Sequence, residues 1–98
     1  MKSERRHSRE LALQILFQSE FAPQISINTF LAIYDNNFTV DTIKYAESLI
    51  KGVNENKVRI DEKISSVSRN WKVERMAIVD RNILRISVFE IKVSPEPI

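Results

Sequence analysis

The side chains best placed to do chemistry lie at the start of the chain. Lys2, Arg5, Arg6 and Arg9 supply four of its 15 basic residues, and no Lys or Arg follows until Lys44. On a helix Arg5 and Arg9 are i, i+4 neighbours, while Lys2, Arg6 and Arg9 share the adjacent face. Guanidinium groups gathered on one face can each grip a phosphate through two parallel hydrogen bonds, and arginine-rich segments commonly order on RNA. A solvated, frayed terminus has the same composition, so the cluster alone leaves both readings open. The first apolar residue of the amphipathic run is Leu11, which sets the cluster ahead of the expected core.

Elsewhere the chemistry is sparse. The chain has one histidine, no cysteine and a single glycine, Gly52. No disulfide or thiolate metal site can form without cysteine, and no Gly-rich phosphate loop can be built around one glycine. His7, among arginines, reads as a solvated base rather than a ligand. Asp61 and Glu62 are adjacent and so point in different directions on a helix, which makes them surface charge. Trp71 reads as an anchor for an inter-helix turn, with base stacking as the alternative. No cofactor or metal is implied, and the chain is expected to bind rather than catalyse.

The elements that must position these groups are helices. Ninety-eight residues make one domain, residues 1–98, with 43% hydrophobic residues, 29% charged residues and a net charge of +2. No apolar stretch approaches the roughly 20 residues that span a bilayer, and the opening does not resemble a secretory signal, so a cytoplasmic location is expected. Ser3 to Phe21 carries Leu11, Ala12, Ile15, Leu16 and Ser19 at helical spacing; Leu13, Phe17 and Phe21 widen the stripe, predicting burial on more than one side. Pro23 ends this helix. Ser26 can cap a short second one through Ile27, Phe30, Leu31 and Tyr34, stopped by Asp35-Asn36-Asn37.

The third segment steps by three and four through Ile43, Ala46, Ile50, Val53, Lys57, Ile60, Ile64 and Val67. Thr39 or Asp41 would cap it, and it reads as one long helix or as two nearly collinear ones broken between Gly52 and Asn56. Val73 to Lys92 is rich in β-branched residues, which favour strands. Its polar positions Asp80, Arg81, Arg85 and Glu90 do not alternate, however, and a deeply buried helix is the better reading. Pro95 and Pro97 would end it. The fold class is therefore all-α, with four or five helices joined by short loops and no internal repeat.

Three stretches then carry a resemblance. Arg6-His7-Ser8-Arg9-Glu10-Leu11-Ala12-Leu13-Gln14-Ile15-Leu16-Phe17 resembles the opening motif of the NusB family of bacterial transcription antitermination factors. Leu49-Ile50-Lys51-Gly52-Val53 resembles the family's Gly-Val helix segment. Val79-Asp80-Arg81-Asn82-Ile83-Leu84-Arg85-Ile86-Ser87-Val88-Phe89-Glu90 resembles its most recognisable motif, with Trp71 suitably ahead. The resemblance covers essentially the whole chain. It implies a NusB-like helical bundle that pairs with NusE, a small-subunit ribosomal protein. Together the two bind single-stranded boxA-type RNA and help RNA polymerase read through terminators, notably in ribosomal RNA operons.

By position, the resemblance assigns RNA binding to Arg5, Arg6 and Arg9, which Lys2 joins from the basic cluster, and the surface for NusE to Phe17, Glu74 and Asp80. Asp80 has an alternative, a helix-internal salt bridge to Arg81 or Arg85. Arg85 could instead cap a neighbouring helix or snorkel. One departure concerns the end of the chain. Family members continue past the Pro-x-Pro segment into a further helical pair, whereas this sequence stops at Ile98. The expectation is a C-terminally truncated form whose helix from Ile83 to Ile91 is uncovered and prone to self-association. Two other readings stand beside this one. A NusB-like domain also precedes the catalytic part of some ribosomal RNA cytosine methyltransferases, although the opening Met fits a stand-alone chain. The third is a helical interaction module without RNA binding.

Overall fold

The computed structural model describes residues 2–22, 38–68 and 72–93, with side chains from Arg5 onward. Among these residues every regular element is helical. Helix α1 spans Lys2–Ser19, α2 spans Val40–Glu55, α3 spans Lys57–Val67 and α4 spans Ile78–Val88. A 3₁₀ turn, Val73–Arg75, precedes α4, and a single π-helical turn, Phe89–Val93, prolongs it. No helix among the described residues is long and apolar enough to cross a membrane. The short helix expected from Ser26 to Tyr34, its flanking turn signals, Trp71, Pro95 and Pro97 lie outside the described residues.

Local chemistry explains the boundaries. Thr39, in extended backbone, is the cap of α2: its Oγ1 accepts from the Thr42 N–H at 3.1 Å, while Asp41 sits inside the first turn. The long apolar register does break, at Asn56. The backbone N–H and the Nδ2 of Asn56 both donate to the Gly52 carbonyl, at 3.1 and 2.8 Å. The Asn56 carbonyl then accepts from the Ile60 N–H at 2.8 Å and opens α3. One residue thus satisfies a carbonyl at the end of α2 and an amide at the start of α3.

The core joins one stripe from each helix. Leu11, Ala12, Ile15 and Leu16 of α1 meet Ala46, Leu49 and Val53 of α2, Ile60 and Ile64 of α3, then Val73, Met76, Ile86 and Phe89. Each large side chain taken out of water here stabilises by roughly 1.5–3 kcal/mol. Helix α1 is less deeply set than its wide stripe implied, with Phe17 and Phe21 exposed. Val67, at the end of the three-and-four register, is exposed as well.

Helix α4 departs further from the expectation of deep burial. Its outer face shows Val79, Ile83 and Leu84 to solvent, as the π turn does Ile91. Its inner face buries Asn82, Arg85 and Glu90 beside Ile86 and Phe89. The segment is apolar all round in composition, yet half of the apolar residues face out and the buried face is partly polar. That inversion arises because the inner polar residues find charged partners on α1 and α3.

Candidate nucleic-acid interface

Helix α1 is the axis on which the site is built. Ion pairs at both ends fix its relation to α4. Glu20, just past the end of α1, pairs with Arg81 at 3.1 Å, while Arg9 near the start pairs with Glu90 at 2.8 Å. The two elements therefore run antiparallel. Ser8, 1% exposed, adds a third tie: its hydroxyl donates to the Thr42 carbonyl at 2.8 Å and pins α1 to the first turn of α2. The arginine turns are thus knitted into the fold rather than standing ahead of it, contrary to what the position of Leu11 implied. Small polar contacts with α2 hold them where no apolar residue is available.

The three arginines have different environments. Arg6 is exposed and, among the described residues, makes the i, i+4 pair to Glu10 at 3.2 Å, a surface contact worth little against solvent. Arg5 lays its guanidinium over the ring of Tyr45, 3.7 Å from the centroid, a cation–π stack. Arg9 grips Glu90 side-on, with Nε donating to Oε1 at 2.8 Å and Nη2 to Oε2 at 3.1 Å. That bond, above the opposing effect of partial burial, raises the Arg9 pKa further above its ordinary value. Glu90 is 6% exposed and also accepts from the Tyr45 hydroxyl at 2.6 Å. Desolvation first, then this bond to a carboxylate, pushes the Tyr45 phenol up to about 12. Lys2 belongs to α1, but its side chain lies outside the described set, and His7 is exposed.

The residues assigned to a protein partner gather toward the other end of α1. Phe17 is at the edge of exposure and packs edge-to-face on exposed Phe21, with ring centroids 5.4 Å apart. Asp80 is exposed in the first turn of α4, next to the Arg81 that holds Glu20. Glu74, exposed on the 3₁₀ turn, lines a cleft of about 670 Å³ with Arg81, Asp61 and Glu62. Eight residues of helix, a rise of about 12 Å, separate Arg9 from Phe17. Arg9 and Phe17 therefore lie on separate parts of α1, and Asp80 and Glu74 belong to the start of α4 and the turn before it.

Three sequence readings of charge need correction here. Arg81 and Arg85 do not turn to Asp80. Arg85, buried, donates Nε and Nη2 to Asp61 at 2.9 Å each, and its Nη1 reaches Glu20 at 3.5 Å. Arg85 therefore neither caps a helix nor snorkels. Asp61 in turn is a structural anion that carries α3 onto α4, while Glu62 beside it is exposed surface charge. Asn82, 1% exposed, completes the network: its Oδ1 accepts from Arg85 Nη1 and its Nδ2 donates to Glu20, each at 3.4 Å, while Nδ2 also donates to the Ile78 carbonyl at 3.0 Å.

Sequence reasoning missed Tyr45 and Glu90 as parts of the arginine site. Glu90 had a visible signal, a carboxylate in the middle of an apolar run. Tyr45 had none, because its partners lie on other elements.

Among the described residues, then, the chain is a bundle of amphipathic helices. It offers one arginine-bearing surface and one acidic–aromatic surface, and no three metal-ligating side chains come together. Comparison with known proteins identifies the family. The pattern of the NusB family matches residues 6–97. The transcription antitermination protein NusB of Bdellovibrio bacteriovorus is 54% identical over 94 residues, covering 96% of this chain and 70% of the relative. NusB of Myxococcus xanthus is 36% identical over 97 residues, 94% of this chain and 69% of the relative. NusB of Anaeromyxobacter dehalogenans strain 2CP-1 is 39% identical over 101 residues, 100% of this chain and 70% of the relative. No solved structure matches. The chain belongs to the NusB family.

Proposed function

We propose that this chain acts in transcription antitermination as a binding protein rather than a catalyst. In this reading it holds single-stranded boxA-type RNA through Arg5, Arg6 and Arg9, with Lys2 beside them. It does so together with NusE, which docks on Phe17, Glu74 and Asp80. The pair joins the antiterminating RNA polymerase complex in the cytoplasm and promotes read-through, notably in ribosomal RNA operons. The observation that carries the proposal is the separation of two surfaces. One carries the guanidinium groups and the other the exposed carboxylates Glu74 and Asp80 together with Phe17, as a protein that holds RNA and a protein partner at once requires. Similarity to relatives named transcription antitermination protein supports it.

The test is a titration of single-stranded boxA-type RNA, with and without NusE, over a salt series. On single strands log affinity falls with log salt by about 0.7 per neutralised phosphate. Arg5→Ala with Arg6→Ala should weaken binding to any sequence and flatten the slope by roughly 1.4. Arg9 is left in place because its removal would strand the Glu90 carboxylate. Glu74→Lys with Asp80→Lys should abolish the gain from NusE and leave the affinity without NusE at or above that of the parent. A double arginine variant that stays helical and binds as tightly as the parent, with the same slope, overturns the RNA assignment.

A further inference from the structure

Glu90 is a costly residue to place where it is. A carboxylate that is 6% exposed must be compensated by partners of its own. It has three donors: Arg9 Nε at 2.8 Å, Arg9 Nη2 at 3.1 Å and the Tyr45 hydroxyl at 2.6 Å. All three arrive from elements remote in sequence, and the π-helical turn of residues 89–93 carries the acid to them.

The geometry of the grip determines what it leaves available. A guanidinium has five N–H donors in a rigid planar fork. Glu90 takes the Nε–Nη2 edge, which leaves one N–H of Nη1 and the second of Nη2 side by side on the end edge. The Arg9 side chain is 37% exposed. One edge of Arg9 is therefore clamped to the protein and a second two-pronged edge remains for an external oxyanion. Through Tyr45 the same acid acts on Arg5 as well, since the phenol it holds is the platform under the Arg5 guanidinium.

We propose that Glu90 is the positioning residue of the arginine surface: one buried carboxylate orients Arg9 directly and Arg5 through Tyr45, presetting two guanidinium groups for successive phosphates. The inference rests on the RNA-binding reading above. Two opposing effects follow from the acid. Its negative charge repels a phosphate, and its bonds remove rotamer freedom that RNA would otherwise have to remove. The second effect prevails because the acid is buried and its charge is compensated by Arg9 in direct contact, whereas the ordering extends to two long side chains. The site also requires a carboxylate in particular. All three groups converging on residue 90 are donors, so a group that is acceptor-only satisfies them and an amide does not.

The experiment compares the parent with Glu90→Gln, Glu90→Asp and Tyr45→Phe. Affinity for labelled single-stranded RNA is measured across a salt series, alongside helicity and the thermal midpoint. Glu90→Gln should weaken binding about tenfold, or ~1.4 kcal/mol, with the salt slope unchanged, because the same guanidinium charges still meet the same phosphates. Glu90→Asp should recover part of the loss. Tyr45→Phe keeps the ring and the Arg9–Glu90 pair, removes the phenol's bond to Glu90 and its polar contact with Arg5, and should cost a few-fold. If Glu90→Gln binds equally well or more tightly while folded, the acid is a scaffold or a competitor and the proposal is overturned. If Glu90→Gln does not fold, Tyr45→Phe decides, and unchanged affinity there overturns it. A parent without salt-dependent RNA affinity overturns the RNA reading and this inference together. Loss of binding on removing Arg5 and Arg6, with none on changing Glu90, overturns this inference alone.

Discussion

Gly52→Ala should destabilise this protein although it places the best helix former inside a helix. Gly52 lies near the end of α2 with negative φ, so its backbone does not require glycine. Its surroundings do. A methyl group there would overlap Cζ and Cε1 of Phe89 and lie 2.7 Å from Cε2. The tip of the ring would have to retreat by more than about an ångström to reach ordinary carbon–carbon distance of roughly 3.5–4.0 Å. Phe89 is buried beside Val53 and Ile86 in the core, so it has little room to retreat. Overpacking of this kind costs about 1–3 kcal/mol, and a clash with the whole ring tip belongs in the upper half of that range. Replacing glycine by alanine in a helix returns about 0.8–1.0 kcal/mol. The net loss is about 1–2 kcal/mol, a fall in Tm of roughly 5–15 °C for a domain of this size. Circular dichroism melts of the parent, Gly52→Ala, Phe89→Leu and the double variant form a cycle. In the Phe89→Leu background, where the ring is gone, the same alanine should be neutral or stabilising. A Tm that rises in Gly52→Ala with Phe89 intact would refute the packing of the π turn on α2.

Two further outcomes follow from the charged network and from Tyr45. Arg85→Ala leaves Asp61 and Glu20 facing each other across a vacated site. Because both acids keep some access to water, the loss should be about 2–3 kcal/mol, below the 3–5 kcal/mol of a fully buried pair; an unchanged urea midpoint would show the network to be idle. In an alkaline titration followed by near-ultraviolet absorbance, Tyr45 should ionise near 12, and the step should be missing in Tyr45→Phe. Its folded pKa lies above the ordinary 10, so the stability it contributes is complete below about pH 10 and is lost as pH rises toward 12. A single ordinary step near 10 for both tyrosines would contradict the bond to Glu90.

Much of the architecture is legible in the spacing of apolar residues. Ala46, Val53, Ile60 and Ile64, read as one register, are buried on one face of α2 and α3, and the break falls at Asn56 within the interval expected. Thr39 caps as a threonine at that position should. These features depend on neighbours within a turn or two, where side-chain type and helical period act directly. The segment from Val79 to Ile91 shows where such reasoning stops. Its composition gives helix, but nothing local says that Ile83, Leu84 and Ile91 face out while Asn82, Arg85 and Glu90 face in.

The candidate site divides along the same line. That arginines cluster at the start, and that the chain resembles the NusB family, is plain from the residues alone. That Ser8 is buried and that Arg5 stacks on Tyr45 is not. Nor is it visible that Asp61 is a structural anion or that Arg9 is clamped by an acid 81 positions away. Charge can be counted in a sequence, but whether it is spent inside the protein or offered to a partner depends on which elements meet. Tertiary packing decided that when it ran α4 antiparallel to α1 and brought Glu90 to Arg9 and Glu20 to Arg81. A buried ion needs a counter-ion within a few ångströms, and only the folded chain sets that distance.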